Sequence, residues 1–392
     1  MGFDLTEWLN LAIRWLHLTA GIAWIGSSFY FVWLDNHLVA PAAGEASGEL
    51  WSVHGGGFYH NQKYQVAPST MPDRLHWFKW EAYFTWISGF SLLLLIYYVG
   101  AQSFLIDPAK AALSPPAAIA IGLAAIAVSW LVYDLLCSSS LGRSNLVLGI
   151  AWFAWLLLAE IALDSWLNAR AAYLHIGAII GTAMVANVFF VIIPNQRKVV
   201  ADLVAGRTPD PALGKAAKQR SLHNNYMTLP ALFIMISHHY PMTYGAERPW
   251  LVLALLGLTG VAVRHVFNLR HRGRRTGPAM ALAAVLALAS VTYVTLEKGG
   301  GRQSTGHVTY AEIQPLLAKH CAACHSPHPT KPGFTTPPLG VTLDSYAHAS
   351  AAAERIKRVA VDSEVMPLGN TTGMTKDERA KLGAWIAAGT PR

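Results

Sequence analysis

Two cysteines three residues apart with a histidine directly after the second, Cys321-Ala322-Ala323-Cys324-His325, form the chemically most specific stretch of this 392-residue sequence. Thiols at that spacing add to the vinyl groups of a porphyrin, and the adjacent imidazole becomes the proximal iron ligand. The pattern therefore predicts one covalently attached c-type haem. A zinc site would need a second ligand pair, and the remaining cysteine, Cys137, lies deep in an apolar stretch. A dithiol redox pair would have no use for His325. The sixth iron ligand of such a haem is commonly a methionine sulfur. Met366, in Val365-Met366-Pro367-Leu368-Gly369-Asn370, sits where proline and glycine interrupt regular structure and is the expected axial ligand. Met374 is the alternative, with His328 and His320 behind it.

The elements that must hold this group are short. Thr375-Lys376-Asp377-Glu378 is a capping box that opens a last helix through Ala388, ended by Gly389. A first helix is expected from Thr309 to His320. From about Gly306 to Arg392 the chain thus resembles a small class I cytochrome c. That resemblance implies haem attachment on the outer, periplasmic side of a bacterial inner membrane. A glycine-rich hinge at 299–305, beginning Gly299-Gly300-Gly301, is expected to act as a flexible tether.

Upstream of the hinge, residues 1–298 have the composition of a membrane protein. Over the whole chain charged residues make up 13% and hydrophobic residues 53%, with 14 tryptophans. Eight stretches approach the roughly 20 apolar residues needed to cross a bilayer. They run from Trp8 to Trp33, Trp77 to Val99, Pro116 to Cys137, Leu146 to Leu163, Ala171 to Pro194, Tyr226 to Tyr240, Trp250 to Phe267 and Pro278 to Leu296. The first has no basic leader and no small-residue cleavage site, so it is expected to stay in the mature protein. An even number of spans puts both termini on one side, the periplasm.

The charges agree with that arrangement. Arg197, Lys198, Arg207, Lys215, Lys218 and Arg220 lie between the fifth and sixth spans, and Arg270, Arg272, Arg274 and Arg275 between the seventh and eighth. Both loops would be cytoplasmic, as the positive-inside bias requires. The net charge of +8 is then a topology signal, and nucleic-acid binding is not expected. A weak repeat is also visible: Leu16-His17 is matched by Leu174-His175, and Leu75-His76 by Leu222-His223. The expected fold is all-α, an eight-helix transmembrane bundle of two four-helix halves followed by the cytochrome domain.

Ionisable groups inside a bilayer are costly without a partner or a cavity and mark places to look for function. His17, His175, His238 and His239 fall in the outer half. His76, His223 and His265 fall toward the inner face with Lys79, Glu81, Asn224, Asn225, Arg264 and Asn268. Neutral imidazoles of the outer group are candidate ligands of a haem b that would pass electrons to the c-type haem; each can equally be hydrogen-bonded within the bundle. The segment from Asn36 to His76 is too long for a simple connector. Its stretch His54-Gly55-Gly56-Gly57-Phe58-Tyr59-His60-Asn61-Gln62-Lys63-Tyr64 reads either as a flap over a polar heterocycle or as a solvated surface loop.

That loop with Val66-Ala67-Pro68, then Trp77-Phe78-Lys79-Trp80-Glu81-Ala82-Tyr83, then His223-Asn224-Asn225-Tyr226-Met227-Thr228-Leu229-Pro230 with His239-Tyr240-Pro241, then Arg264-His265 with Asn268, together with the C-terminal haem motif, resemble the membrane-bound, cytochrome c-linked urate oxidases. The resemblance extends over essentially the whole chain. His238 departs from it, since asparagine is expected there, which ranks His239 above His238 beside His17 and His175 as a haem b ligand. The resemblance implies oxidation of urate to 5-hydroxyisourate in purine catabolism, without hydrogen peroxide. Electrons would go to the fused haem and on to a soluble cytochrome c or a terminal oxidase. By chemistry and family position, Arg264 would hold the urate anion, His223 or His265 would act as base, and Asn224, Asn225 and Gln62 would read the purine edges. Other readings of the sequence are a membrane-anchored cytochrome conduit for a separate dehydrogenase, and a transporter or copper-handling protein fused to a redox domain.

Overall fold

A computed structural model describes residues 5–64, 67–299, 308–363 and 365–392. Helix α1 runs Leu5–His37, and the next apolar stretch forms α2, Trp80–Leu92, which continues through a π-helical turn at Leu93–Tyr98. A short α3, Ala101–Phe104, precedes α4, Pro115–Ser138, and α5, Asn145–Trp166. Helix α6, Ala169–Ala186, passes through a second π-helical turn, Asn187–Ile192, into α7, Ile193–Val204. Then come α8, Pro211–Ser237, the short α9, Pro241–Tyr244, α10, Pro249–His271, and α11, Gly277–Gly299.

Five of these segments are long and apolar enough to cross a membrane: Pro115–Ser138, Asn145–Trp166, Ala169–Val204, Pro249–His271 and Gly277–Leu296. The other three expected spans fall on α1, α2 with its π turn, and α8. The first half of α8 carries Lys215, Lys218, Arg220, His223, Asn224 and Asn225, which is why its hydropathy is low despite its 27 residues. Eight spans therefore remain a proposal, and five stand on length and composition.

Helix α6 is the centre of the bundle. Small residues Ala171, Ala172 and Ala183 let neighbouring backbones approach, and Tyr173, Ile176, Ile179 and Ile180 fill the space between. Outward-facing Leu123, Val128, Leu131 and Leu135 on α4 stay exposed, as expected of a surface that meets lipid.

The 36–76 segment corrects the all-α expectation. Strands β1, Gly48–His54, and β2, Gly57–Lys63, form an antiparallel hairpin with Trp51 opposite His60, their rings stacked at 4.2 Å. Gly55 and Gly56 both have positive φ, 58° and 81°, the backbone that a two-residue hairpin turn demands. The turn alone accounts for Gly55 and Gly56.

The C-terminal unit is helical. It comprises α12, Tyr310–His320, α13, Tyr346–Ala351, α14, Ala353–Ile356, which runs into a π turn at Lys357–Val361, and α15, Lys376–Ala387. Ile313 and Leu317 of α12 pack with Leu382 and Trp385 of α15 in its own core. Both long helices begin with capping boxes, Thr309 with Glu312 and Thr375 with Glu378. The Thr375 backbone N–H, helped by His320 and Lys319, holds the Glu378 carboxyl down at about 2. Gly299 ends α11, and the rest of the expected hinge, 300–305, lies outside the described residues.

Candidate functional site

The Cys-x-x-Cys-His motif follows α12 directly, because the helix ends with Cys321 at its C-cap. Both thiols are free and half-buried, and burial pushes Cys321 up to about 11. His325 Nδ1 donates to the Val341 carbonyl at 2.9 Å, which fixes the ring and leaves Nε2 uncommitted. Met366 packs at the edge of the C-terminal core. Its N–H donates to Val359 O at 2.8 Å, and its carbonyl accepts from Arg379 at 2.6 Å. Met374 is instead inside that core, His320 is engaged at both nitrogens by Thr372 and Glu378, and His328 is exposed.

In the helical bundle, α8 divides the candidate residues. Successive helical residues turn by about 100°, which spreads His223, Asn224 and Asn225 around α8; hydrogen bonds join the first two to one network and Asn225 to another. On the first side, Asn187, at the start of the π turn, donates from Nδ2 to the Tyr133 hydroxyl at 3.0 Å and to Asn224 Oδ1 at 2.8 Å. Tyr133 then donates to His223 Nδ1 at 2.8 Å, which leaves the imidazole proton on Nε2, 3.4 Å from Asn145 Oδ1. Asn224 Nδ2 donates to Met184 O at 2.9 Å. Arg220 joins Asn187 Oδ1 at 3.1 Å to Asp134 at 2.7 Å. Nearly every polar atom of this network has a partner.

The second side differs. Arg264 on α10 is 4% exposed, donates from Nε to Asn225 Oδ1 at 3.0 Å, and lies 3.7 Å over the Phe29 ring. Asn268 Nδ2 donates to the same Asn225 oxygen at 3.0 Å. Left over are Arg264 Nη2, Asn225 Nδ2 and Asn268 Oδ1, all buried and without a hydrogen-bond partner among the described residues. Two donors and one acceptor so placed are costly unless something binds them. Arg264 opens onto a cavity of about 390 Å³ between α1 and α10, walled by Phe29, Tyr30, Trp33, Phe267 and His271. That size lies in the range of small-molecule sites, and planar aromatic walls beside a guanidinium suit a flat anion.

The structure does not gather the remaining expected site residues there. His265 is exposed, and its Nδ1 accepts from Tyr226 of α8 at 2.8 Å. Gln62 is exposed on β2, where its Oε1 accepts from Tyr64 at 3.1 Å. His17 Nδ1 donates to Thr85 O at 2.9 Å, and its ring lies against Gly89 of α2, where a Cβ would come within 2.8 Å. His175 is wholly buried; Nδ1 donates to Ala171 O at 2.8 Å and Nε2 accepts from Tyr98 at 3.1 Å. His239 is exposed, with its ring 3.8 Å from the half-buried His238. His175 is met at both ring nitrogens, whereas His17 is held at Nδ1, as His325 is, which leaves its Nε2 to meet an iron; a haem b with ligands among His17, His175 and His239 stays a proposal, and no step is routed through it.

Sequence reasoning missed the cavity's own walls. The signal was present as an aromatic stripe on α1, Phe29, Trp33 and His37, facing Arg264, Phe267, Asn268 and His271 on α10 at helical spacing.

A model of the urate oxidase N-terminal family matches residues 4–295, nearly three quarters of the chain. The chain belongs to the urate oxidase N-terminal family. All of the helical bundle except the last residues of α11 falls within the family match, including both networks on α8 and the Arg264 cavity; the haem motif lies beyond it. No curated protein and no solved structure matches.

Proposed function

We propose that this chain is a membrane-bound, cytochrome c-linked urate oxidase that converts urate to 5-hydroxyisourate at the Arg264 cavity. The observation that carries the reading is the set of unpartnered buried atoms on Arg264, Asn225 and Asn268 beside an aromatic cavity, in a family named for urate oxidation. The reaction is urate plus water giving 5-hydroxyisourate, two protons and two electrons. Arg264, which lines the cavity, pairs with the urate anion, while Asn225, itself held by Asn268, grips the guanidinium at Nε from behind and sets its direction. Phe29 and Trp33 give the flat ring apolar walls to lie against. His271, in the cavity wall, accepts a proton as water adds; His223 and His265 point elsewhere.

Cys321 and Cys324 would hold the c-type haem covalently, with His325 Nε2 and Met366 as its iron ligands. That group supplies a one-electron acceptor in place of dioxygen, so no hydrogen peroxide would form. The free thiols, the fixed His325 tautomer and the anchored Met366 loop all suit it. We place eight spans in a bacterial inner membrane with both termini and the cytochrome unit in the periplasm, and a soluble cytochrome c or terminal oxidase as the final acceptor.

The test is an anaerobic visible spectrum of the detergent-purified oxidised protein before and after urate. Reduction of the c-type band by urate alone is the expected result. A band that responds to dithionite and not to urate would turn the chain into an electron conduit for a separate dehydrogenase.

A further inference from the structure

The C-terminal unit is joined to the bundle by more than its linker. Two glycines, one from each unit, mark a close seam. Gly245, just after α9, lies against Ser363, and a Cβ there would fall 2.8 Å from the Ser363 side chain. Gly369, in the loop after Met366, has φ 63°, and a Cβ on it would fall 2.8 Å from the Ile106 carbonyl beyond α3. Neither position admits a larger residue without moving backbone. Val365, next to Met366, is partly buried and packs against the hydrophobic core of the bundle. Aromatic rings cross the same seam: Tyr97 of the π turn lies 6.3 Å from Phe104 of α3, and Phe104 lies 6.5 Å from Phe334. Tyr97 is 3% exposed, and its neighbour Tyr98 holds His175.

We propose that the Met366 loop is a docking element, seated between α3 and α9 at the outer end of the bundle, which fixes the C-terminal unit there with the line Tyr97, Phe104, Phe334 bridging the seam. The unit then receives electrons in place and does not swing on its glycine tether. Electron tunnelling falls exponentially with the gap between donor and acceptor, so a seat that removes a solvent layer matters more than a tether that only keeps two units near each other. The proposal rests on the urate reading for the source of its electrons. Two leave each urate, and each reduces one ferric iron to ferrous.

The full-length, haem-loaded protein tests it through Gly245→Val, Gly369→Ala and, as a variant that introduces no clash, Phe104→Ala. Two readouts are taken: amide hydrogen exchange across Ser103 to Ile106, and stopped-flow reduction of the c-type band by urate and, separately, by ascorbate. In the glycine variants exchange should rise. Urate-driven reduction should slow by about tenfold or more in all three variants, as expected for a misplaced reaction partner, while ascorbate reduces each as fast as the parent. Unchanged exchange in both glycine variants would overturn the seat. Raised exchange with urate-driven reduction within about twofold of the parent, well short of that misplacement cost, would overturn its role in electron transfer. If urate fails to reduce the unmodified protein, the urate reading falls, and the exchange data still decide whether the seat exists.

Discussion

On the two flanks of α8, polar residues that are neighbours in sequence have opposite fates. His223 and Asn224 enter a network in which Tyr133, Asn187, Arg220 and Asp134 satisfy one another. Asn225, the next residue, meets Arg264 and Asn268 in a group that leaves two donors and an acceptor buried and unpaired. A closed network gains its full stabilisation on folding, and little of it changes when a ligand arrives. An open one stays costly until a complementary molecule fills it. The difference teaches where to look for substrate: beside the group that folding leaves incomplete.

The largest effect that would sharpen this contrast is expected from Arg264→Gln. Loss of a charge-assisted bond worth ~1.5–3 kcal/mol, together with the lost charge, should lower kcat/KM for urate by about 100-fold in steady-state kinetics, with the c-type band intact. Next is His271→Gln, which should lower kcat by about 100-fold at little cost in KM, consistent with loss of a general base. Asn268→Ala should raise KM for urate by roughly tenfold by loosening the Asn225 grip on Arg264.

On the closed side the outcome should be structural. Asn187→Ala strands Tyr133, Asn224 and Arg220 and should lower unfolding stability by about 1–3 kcal/mol, read by thermal denaturation in detergent, with KM unmoved. The smallest effect belongs to Asn145→Ala, whose bond to His223 is long at 3.4 Å and close to the surface; its shift should stay within about 0.5 kcal/mol. If Tyr133→Phe cost more kcat than His271→Gln, the contrast would be broken, and His223 would take over as the base.

Much of the fold was legible in the sequence, for reasons visible at particular residues. Thr309 and Thr375 each stand three residues before a glutamate, so both helix starts of the C-terminal unit could be placed from side-chain capping alone. The ends of α4, α5 and α10 fall within a few residues of the apolar stretches that predict them. The hairpin was not legible because His54-Gly55-Gly56-Gly57 serves equally well as a turn or as a ligand loop until its strands pair. Helical geometry spreads His223, Asn224 and Asn225 around α8, but which helices meet each of them depends on long-range packing. His271 was hidden in the run from Arg270 to Arg275, where it reads as one more loop residue.

The π turn at Asn187–Ile192 carries one more consequence. A π turn holds one residue more than an α turn, so everything beyond it is out of phase by about 100° with a continuous α-helix. The segment from Ala169 to Val204 therefore keeps two angular frames in one rod, one that buries Tyr173 and His175 and another that sets Arg197 against Trp77. Straightening it by deleting one residue would keep the length almost unchanged and rotate one end of the rod against the other, so that only one of the two faces could stay in register with its neighbours.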